Sequence, residues 1–356
     1  MISKQQISEI ISKYDQENLA IATVCSHSSL QIFDGARKEG LKTIGICVGQ
    51  PPRFYDAFPK AKPDEYIVVE NYSDIPKIAQ ELVEKNAIII PHGSFVEYMG
   101  AKNFAELPVP TFGNREVLEW ESDREKEREW LEGAGIHMPK NVPDPKDINS
   151  PVMVKYYGAK GGRGFFIAKT YEEFLENIDP NEKFTIQEFI LGTRYYLHYF
   201  YSPLETEGYK LSEGTLEMLS MDRRVESNAD EIFRLGSPRE LEEAGIHPTY
   251  VVTGNVPLVA RESLLPLIFS LGEKVVEESI KLFGGMVGPF CLETVFTDHL
   301  EIKVFEISAR IVAGTNFYIS GSPYADLVES DLSTGKRIAK EIKLAKDMDQ
   351  LDKILS

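Results

Sequence analysis

Two glutamates in the C-terminal third of the chain are the residues that point most directly to chemistry. The segments 289–296 and 301–310 read as two strands joined by a tight turn. If the turn is centred after His299, Glu293 and Glu306 lie directly opposite each other on one face. Opposed carboxylates repel each other in a sheet, and burial makes the repulsion worse. A divalent cation removes it, and Mg²⁺ prefers a few carboxylates together with phosphate oxygens of a substrate.

The same strand carries two more polar residues on the face of Glu306. Period-two alternation places Ser308 and Arg310 there, so an arginine is expected beside the carboxylates. The alternative is an exposed hairpin face with Lys303 nearby. The apolar residues around the two glutamates favour the buried site.

A glycine-rich loop between two strands supplies a second chemical signal. The segment 151–169 reads as strand, loop and strand, with Lys155 at the end of the first strand. Glycines without side chains let backbone N–H groups approach phosphate oxygens closely, and lysine adds positive charge. The loop glycines are Gly158, Gly161, Gly162 and Gly164. The alternative is a flexible hairpin tip with solvated charges.

The first hundred residues alternate strands with helices, which predicts a small parallel sheet. Ser26-His27-Ser28-Ser29 follows the first strand, and His92-Gly93-Ser94 follows a later one. Ligands on such sheets bind beyond the carboxyl ends of strands, so these segments suit a phosphate or a ribose. The alternative is that the serines only cap helices.

Three further segments must position or complete such a site. Residues 122–132 form a charged helix that on its own reads as solvated, and residues 184–190 form a strand whose end suits an adenine ring. Aromatic-rich segments at 194–201 and 209–221 have an antiparallel pattern. The mixed charges of 222–228 read equally well as a surface turn.

Composition restricts the class of protein. The chain has 356 residues, enough for two or three packed units, and a net charge of −17, which disfavours general nucleic-acid binding. Cys25, Cys47 and Cys291 are widely spaced without CxxC pairing, which argues against a disulfide framework or a zinc site. Since no apolar run is long enough to span a membrane, we expect a cytoplasmic protein without membrane or nucleic-acid partners.

Together these motifs resemble the ATP-grasp superfamily over almost the whole chain. Its first helix and turn resemble Asp123-Arg124 with Ala134-Gly135-Ile136. Lys155 looks like its ATP-phosphate lysine, and its flap resembles the loop that contains Gly161, Gly162 and Gly164. The segment Gln187-Glu188-Phe189-Ile190 resembles the adenine hinge. Glu293 and the run Glu306-Ile307-Ser308-Ala309-Arg310 resemble its metal carboxylates and final strand.

Two positions depart from the superfamily pattern. Ser308 stands where a magnesium-binding asparagine is usual, which implies a weaker second metal position or one filled by water. Arg194 stands where many members have a ribose-binding glutamate, and Glu226 is the candidate for that role.

Longer motifs are similar to the archaeal formate-dependent 5-formaminoimidazole-4-carboxamide ribonucleotide synthetases, the PurP family. They are VCSHSSLQIFDGARKEG, IPHGSFVEYMG, FGNR with ESDREKE, MDRRVESN and FEISARIVAGTN. The resemblance implies that aminoimidazole carboxamide ribonucleotide (AICAR) is bound by His27, Ser94, Asn255, Arg310, Thr315 and Asn316. It also implies ATP with Mg²⁺ or Mn²⁺, formate as second substrate, and Lys155 and Arg310 in catalysis.

The resemblance sets the remaining expectations. The fold class is α/β with α+β elements, an ATP-grasp fold preceded by a Rossmann-like domain. The expected units are residues 1–120, 121–200 and 201–356, the second carrying the flap and the third the metal site. We expect a homo-oligomer, trimeric or hexameric, with an edge supplied by the strands of 194–221. The alternatives are another ATP-grasp carboxylate–amine ligase or a non-catalytic nucleotide sensor.

Overall fold

The structure is a computed structural model that describes residues 1–156, 165–227 and 251–356, together with 232, 234, 241 and 243–245. The strands are β1 Ala20–Val24, β2 Lys42–Val48, β3 Glu65–Val69, β4 Ala87–Ile89, β5 Val152–Tyr156, β6 Phe165–Ala168, β7 Phe184–Glu188, β8 Thr193–Ser202, β9 Tyr209–Lys210, β10 Thr215–Glu226, β11 Val252–Pro257, β12 Gly288–Phe296 and β13 Ile302–Ser308. The α-helices are α1 Lys4–Ile11, α2 Ser29–Lys38, α3 Ala79–Glu84, α4 Ala101–Ala105, α5 Val117–Ser122, α6 Arg124–Gly133, α7 Tyr171–Asn177, α8 Leu265–Phe283, α9 Thr334–Asp347 and α10 Leu351–Ile354.

The N-terminal sheet is parallel, as the alternation of strands and helices predicts. Its order is β3-β2-β1-β4, and the residues of β1 and β4 are all buried, which suits a sheet covered on both faces. Because β1 and β4 are neighbours and parallel, the segments that follow them meet at one edge of the sheet. Ser26–Ser29 and His92–Ser94 are therefore brought together.

A three-stranded antiparallel sheet of order β6-β5-β7 follows. Its buried residues, including Val152, Val154 and Ile186, pack against Phe174 of α7. Lys155 pairs in register with Phe165 on one side and Thr185 on the other. The predicted flap glycines Gly158, Gly161, Gly162 and Gly164 lie outside the described residues.

The largest sheet has six strands, with the order β11-β10-β8-β12-β13 and β9 paired to β10. Strands β12 and β13 form the predicted antiparallel hairpin, and Glu293 is paired in register with Glu306. A shift of register follows Glu293, so the ladder bends just beyond the carboxylates. The predicted opposition of the two glutamates is confirmed.

Several sequence expectations need correction in this sheet. The charged run after Met221 continues β10 to Glu226 and is not a surface turn. Strand β8 lies between β10 and β12, whereas β9, which belongs to the segment 194–221, pairs with β10 alone and lies at an edge, as do β11 and β13. The boundary expected at residue 200 falls inside β8. We therefore propose that the small unit ends before Thr193.

Two long helices pack against the sheets. Helix α8 buries Ile268, Leu271, Val275 and Val276 and leaves Leu267 exposed. The C-terminal helix α9 packs against α2 of the N-terminal unit. Its buried residues share a hydrophobic cluster with α1 and α2 and with Phe200 and Leu219 of the large sheet, so the end of the chain packs against both. Among the described residues, no helix is long and apolar enough to cross a membrane.

Candidate active site

A cavity of about 1000 Å³ lies between the small sheet, helices α5 and α6, and one face of the large sheet. It is lined by ten of the residues predicted from sequence: His27, Lys155, Gln187, Glu188, Phe189, Ile190, Glu226, Glu293, Glu306 and Arg310. A volume of this size accommodates a nucleotide with a second substrate. The structure thus brings Lys155, the predicted hinge and the two carboxylates to one cavity.

The floor of the cavity is a single face of the large sheet. Because side chains alternate along a strand and registered partners share a face, polar residues two apart on neighbouring strands collect there. They are Arg194, Tyr196 and His198 of β8, Asp222, Arg224 and Glu226 of β10, Glu293 of β12, and Glu306 and Ser308 of β13. His198, Asp222 and Ser308 share this face but do not line the cavity itself. The aromatic-rich strands therefore build the site.

Electrostatic repulsion dominates the carboxylate pair. The charge of Glu293, together with burial, raises the pKa of Glu306 to about 7. Arg224 donates from Nη2 to Oε1 of Glu293 at 2.6 Å, and its guanidinium lies 3.8 Å from the ring centre of Tyr196. Burial alone would lower the pKa of Arg224, but its neighbours, chiefly Glu293, together outweigh burial and raise the pKa. One arginine thus partly neutralises two carboxylates.

Two more glutamates, which sequence reasoning left unassigned, approach the same strand. Oε1 of Glu127 accepts from the backbone N–H of Ile307, and Oε2 of Glu121 accepts from that of Ala309, each at 2.7 Å. Burial raises the pKa of both carboxyls, that of Glu127 well above its usual range, with Glu306 adding to the shift. The charged helix α6 is therefore part of the cavity wall.

The carboxylate pair suits a divalent cation bound jointly with phosphate oxygens. No cluster of three or more His, Cys, Asp or Glu side chains with metal-ligand geometry occurs in the described part of the chain. Mg²⁺ needs only one or two protein carboxylates when substrate phosphates complete its shell. The raised pKa of Glu306 is the signature of excess negative charge that such a cation would neutralise. Glu293 and Glu306 therefore fit Mg²⁺ or Mn²⁺.

Lys155 and Arg310 flank the carboxylates. Burial lowers the pKa of Lys155, and Glu306 partly opposes that shift. Arg310 donates from Nη2 to Glu121 at 2.8 Å, while its buried Nε has no hydrogen-bond partner among the described residues. The pKa of His27 is lowered by burial and by the charge of Arg310. Arg310 therefore lies between the carboxylates and the N-terminal unit.

The predicted adenine hinge is held by backbone contacts. The N–H of Glu188 donates to the carbonyl of Lys140 at 2.8 Å, and the N–H of Phe189 donates to that of Pro151 at 3.1 Å. Glu226, the candidate ribose ligand, pairs with Arg194 at 3.3 Å, and both line the cavity. Arg194, which departs from the superfamily pattern, is thus a direct neighbour of the candidate ribose ligand.

The segments at the edge of the N-terminal sheet form the second part of the site. His27 has a positive φ of 46°, and its ring centre lies 5.5 Å from that of His92. Ser94 is fully buried, shares a 2.5 Å hydrogen bond with Ser26, and does not line the cavity, whereas Gly93 does. Ser28 is the N-cap of α2, but its side chain makes no capping bond.

The remaining predicted substrate residues lie beside this part. Asn316 donates to the carbonyl of His27 at 3.3 Å, and the buried Thr315 donates to the carbonyl of Val312 at 2.7 Å. Gln31 donates to both side chains, Thr315 and Asn316. Thr315, Asn316 and Asn255 are not among the residues lining the large cavity, and Asn255 donates to Asp222 at 2.5 Å.

Sequence reasoning missed several residues that the structure places in or behind the site: Gln31, Glu121, Glu127, Tyr196, His198, Asp222 and Arg224. One signal could have found four of them. The polar residues of β8 and β10 recur at every second position within otherwise apolar strands, which is the pattern of a face lining a polar cavity. The partners of Gln31 and Glu127 are distant in sequence and leave no such signal.

Comparison with known proteins agrees with this geometry. A family model described as "Domain of unknown function (DUF1297)" matches residues 169–356, and one described as "Protein of unknown function (DUF1246)" matches residues 21–142. A protein of Methanococcoides burtonii is 85% identical, and one of Methanocaldococcus jannaschii 44% identical, each over 100% of both chains. Both carry the name 5-formaminoimidazole-4-carboxamide-1-(beta)-D-ribofuranosyl 5'-monophosphate synthetase.

Solved structures show the same architecture. The IMP biosynthesis protein PurP of Thermococcus kodakaraensis has a TM-score of 0.72 at 31% identity, covering 94% of this chain and 100% of its own. An ADP complex of N5-carboxyaminoimidazole ribonucleotide synthetase has a TM-score of 0.62 at 13% identity, covering 92% and 77%, which shows the fold alone. The chain has the ATP-grasp fold and belongs to the family of 5-formaminoimidazole-4-carboxamide ribonucleotide synthetases.

Proposed function

We propose that the chain is an ATP-dependent ligase that joins formate to the exocyclic amine of AICAR, giving the 5-formamido nucleotide (FAICAR), ADP and phosphate in purine (IMP) biosynthesis. One observation carries the proposal. A single cavity is lined by Lys155, by the pair Glu293 and Glu306, and by His27 at the edge of the N-terminal sheet. An activated acyl group formed at the carboxylates can therefore meet a nucleotide amine within the same cavity.

The first step activates formate, which is a poor electrophile. A formate oxygen attacks the γ-phosphorus of ATP, the bond to the β,γ-bridging oxygen breaks, and ADP leaves with that electron pair. The product is formyl phosphate. Such a transfer depends mainly on positioning and on neutralising charge, which Lys155, Arg224 and Arg310 supply on the cavity walls.

The second step forms the C–N bond. The amine of AICAR attacks the formyl carbon, phosphate leaves with the C–O electron pair, and the amine nitrogen gives up one proton. This amine is a weak nucleophile because the imidazole ring withdraws its lone pair, so it needs an activated partner held close and away from water. His27, Ser94, Asn255, Thr315 and Asn316 are the residues that we propose hold the nucleotide.

Glu293 and Glu306 would hold the divalent cation, Mg²⁺ or Mn²⁺, and the ATP phosphates would complete its coordination. The cation would supply positive charge to the phosphate oxygens during transfer. The hinge residues Gln187 to Ile190 would bind the adenine ring, and Glu226 would bind the ribose.

The resemblance to the family also supports a homo-oligomer, trimeric or hexameric, in the cytoplasm. Sedimentation velocity tests the number of subunits.

The decisive experiment measures phosphate release from ATP and Mg²⁺ with AICAR and formate added singly and together. The nucleotide product is weighed by mass spectrometry. We expect release and a formylated nucleotide only when both substrates are present. Turnover with a different acid or amine, and none with this pair, would keep the fold and discard the substrates.

A matched pair of variants tests the site. Glu306→Gln should lower turnover by on the order of 100-fold or more, because a neutral amide holds the cation less well than a carboxylate does. Glu301→Gln is the control, since Glu301 lies on the same hairpin with its side chain 60% exposed. Full turnover by Glu306→Gln would contradict the metal assignment.

A further inference from the structure

The carboxylate of Asp222, at the edge of the cavity floor, contacts two polar side chains. Its Oδ1 lies 2.5 Å from Nε2 of His198, and its Oδ2 accepts from Nδ2 of Asn255 at 2.5 Å. The side chains of His198 and Asp222 are almost completely buried. Gly314, next to Thr315, packs so closely on Asp222 that a Cβ there would collide with Oδ1. One carboxylate therefore joins β8, β11 and the turn that carries the predicted substrate residues.

The chemistry of a carboxylate sets the direction of both hydrogen bonds. An ionised Asp offers only lone pairs, so Nε2 of His198 must carry the proton, and Asn255 must turn its NH₂ toward Asp222. His198 is held on β8, directly opposite Ser220 of β10 and Cys291 of β12. It therefore restrains Asp222 from the side away from Asn255.

Asn255 in turn shares the face of the sheet that forms the cavity floor. It is paired in register with Arg224, which lines the cavity, and it is only partly buried. Directly opposed residues of an antiparallel pair lie on the same face. With its NH₂ engaged by Asp222, the amide of Asn255 has its oxygen, an acceptor, left for a ligand, next to the cavity that Arg224 lines.

We propose that Asp222, restrained by His198, is a specificity-determining positioning residue that fixes the amide of Asn255 so that its oxygen accepts a hydrogen bond from an N–H donor of the nucleotide substrate. The inference rests on the proposed function, because AICAR offers such donors in its 4-carboxamide and 5-amino groups. An analogue with a 4-carboxylate presents only acceptors at the first of these positions. The arrangement would select the carboxamide over the carboxylate. The oxygen of Asn255 and the carboxylate of the analogue are both acceptors, so neither would receive a hydrogen bond from the other.

The test compares two ligands by calorimetry: AICAR and 5-aminoimidazole-4-carboxylate ribonucleotide. In the unaltered protein we expect AICAR to bind on the order of tenfold more tightly. Asp222→Asn lets the amide of Asn255 flip, so that its oxygen and its NH₂ exchange places. The preference for AICAR, measured as the ratio of the two dissociation constants, should then fall toward one. Ser220→Ala is the control, because Ser220 is buried on the same strand and its hydroxyl has no partner in the described structure. It should keep the original ratio.

A second pair of variants covers the case in which Asp222→Asn does not fold. His198→Gln keeps an N–H donor for Asp222 and should keep the ratio, whereas His198→Phe removes the donor and should lower it. A purely structural role would lower the affinity for both ligands together and leave the ratio unchanged, which would overturn the inference. If the unaltered protein binds neither nucleotide, the proposed function fails; if it binds both equally, only the inference fails.

Discussion

At the scale of single residues, the site is a balance between carboxylates and a few cations. Glu293 and Glu306 face each other, and Arg224 bonds only the first of them. The pKa of Glu306 is raised to about 7 by Glu293 and by burial, so the folded chain without a cation holds a proton there that the unfolded chain releases. This proton links folding stability to pH.

The linkage predicts how stability depends on pH when cations are removed. The pKa of Glu306 rises from 4.5 to about 7 on folding, so its contribution is present below pH 4.5 and is lost as the pH rises through about 7. At about 1.36 kcal/mol per pH unit between the two values, the loss is at most on the order of 3 kcal/mol. Urea unfolding in EDTA between pH 4.5 and 8 measures it.

A variant separates the contribution of Glu306 to the pH dependence of stability from that of other titratable side chains. Burial lowers the pKa of His92 to about 3, so the contribution of His92 is lost as the pH falls from 6.5, which is the opposite trend. Glu293→Gln removes the charge that raises the pKa of Glu306 and leaves His92 unchanged. The variant should therefore become more stable relative to the unaltered protein as the pH rises from 4.5 to 7. Parallel stability profiles would contradict the prediction.

At the scale of elements, β13 is an edge strand whose outer backbone groups are satisfied by other elements. The N–H of Val304 donates to the carbonyl of His137 at 2.9 Å, and the next two outward N–H groups donate to Glu127 of α6 and Glu121 of α5. An uncovered edge would invite pairing with another chain. Here the helices cover the edge and also fix the strand that carries Glu306.

Removing one of these acceptors should destabilise the fold. Glu127→Leu leaves the buried N–H of Ile307 without a partner, which costs roughly 1–3 kcal/mol of unfolding free energy. Glu127→Gln keeps an acceptor oxygen and removes a repulsion with Glu306, so it should be close to neutral. Urea unfolding compares the two variants with Glu129→Leu, an exposed position on the same helix. Equal stability of the Leu and Gln variants at residue 127 would contradict the role given to Glu127.

The part of this arrangement that sequence could predict is the local part. The opposition of Glu293 and Glu306 follows from period-two alternation in one short hairpin, and the meeting of the His27 and His92 segments follows from a parallel sheet. Arg224 and Glu293 are 69 residues apart, and Glu127 and Ile307 are 180 apart. Such contacts depend on how sheets and helices pack, so no local pattern encodes them.

At the scale of the whole molecule, the two ends of the chain are joined at one helix crossing. Helices α2 and α9 approach so closely that a Cβ at Gly35 would collide with the backbone at Lys336, and one at Gly335 with the carbonyl of Gln31. Gln31 also donates to Thr315 and Asn316, and Asn316 donates to His27. The helix crossing therefore holds together the residues that we propose bind the nucleotide.

Gly335→Ala tests this coupling. The added methyl group meets backbone atoms that cannot turn aside, so α2 and α9 must separate, and the contacts of Gln31 with Thr315 and Asn316 should weaken. We expect AICAR affinity to fall by on the order of tenfold and stability by about 1–3 kcal/mol, with ATP affinity changed by less than about twofold. ATP affinity should persist because the hinge, Lys155 and the carboxylates lie on other elements. Calorimetry with each ligand separately, and urea unfolding, measure these effects.

Gly133→Ala is the matched control, since a Cβ there meets only the flexible side chain of Glu278. An equal loss of both affinities would show that the crossing supports the fold in general and not the nucleotide side of the site.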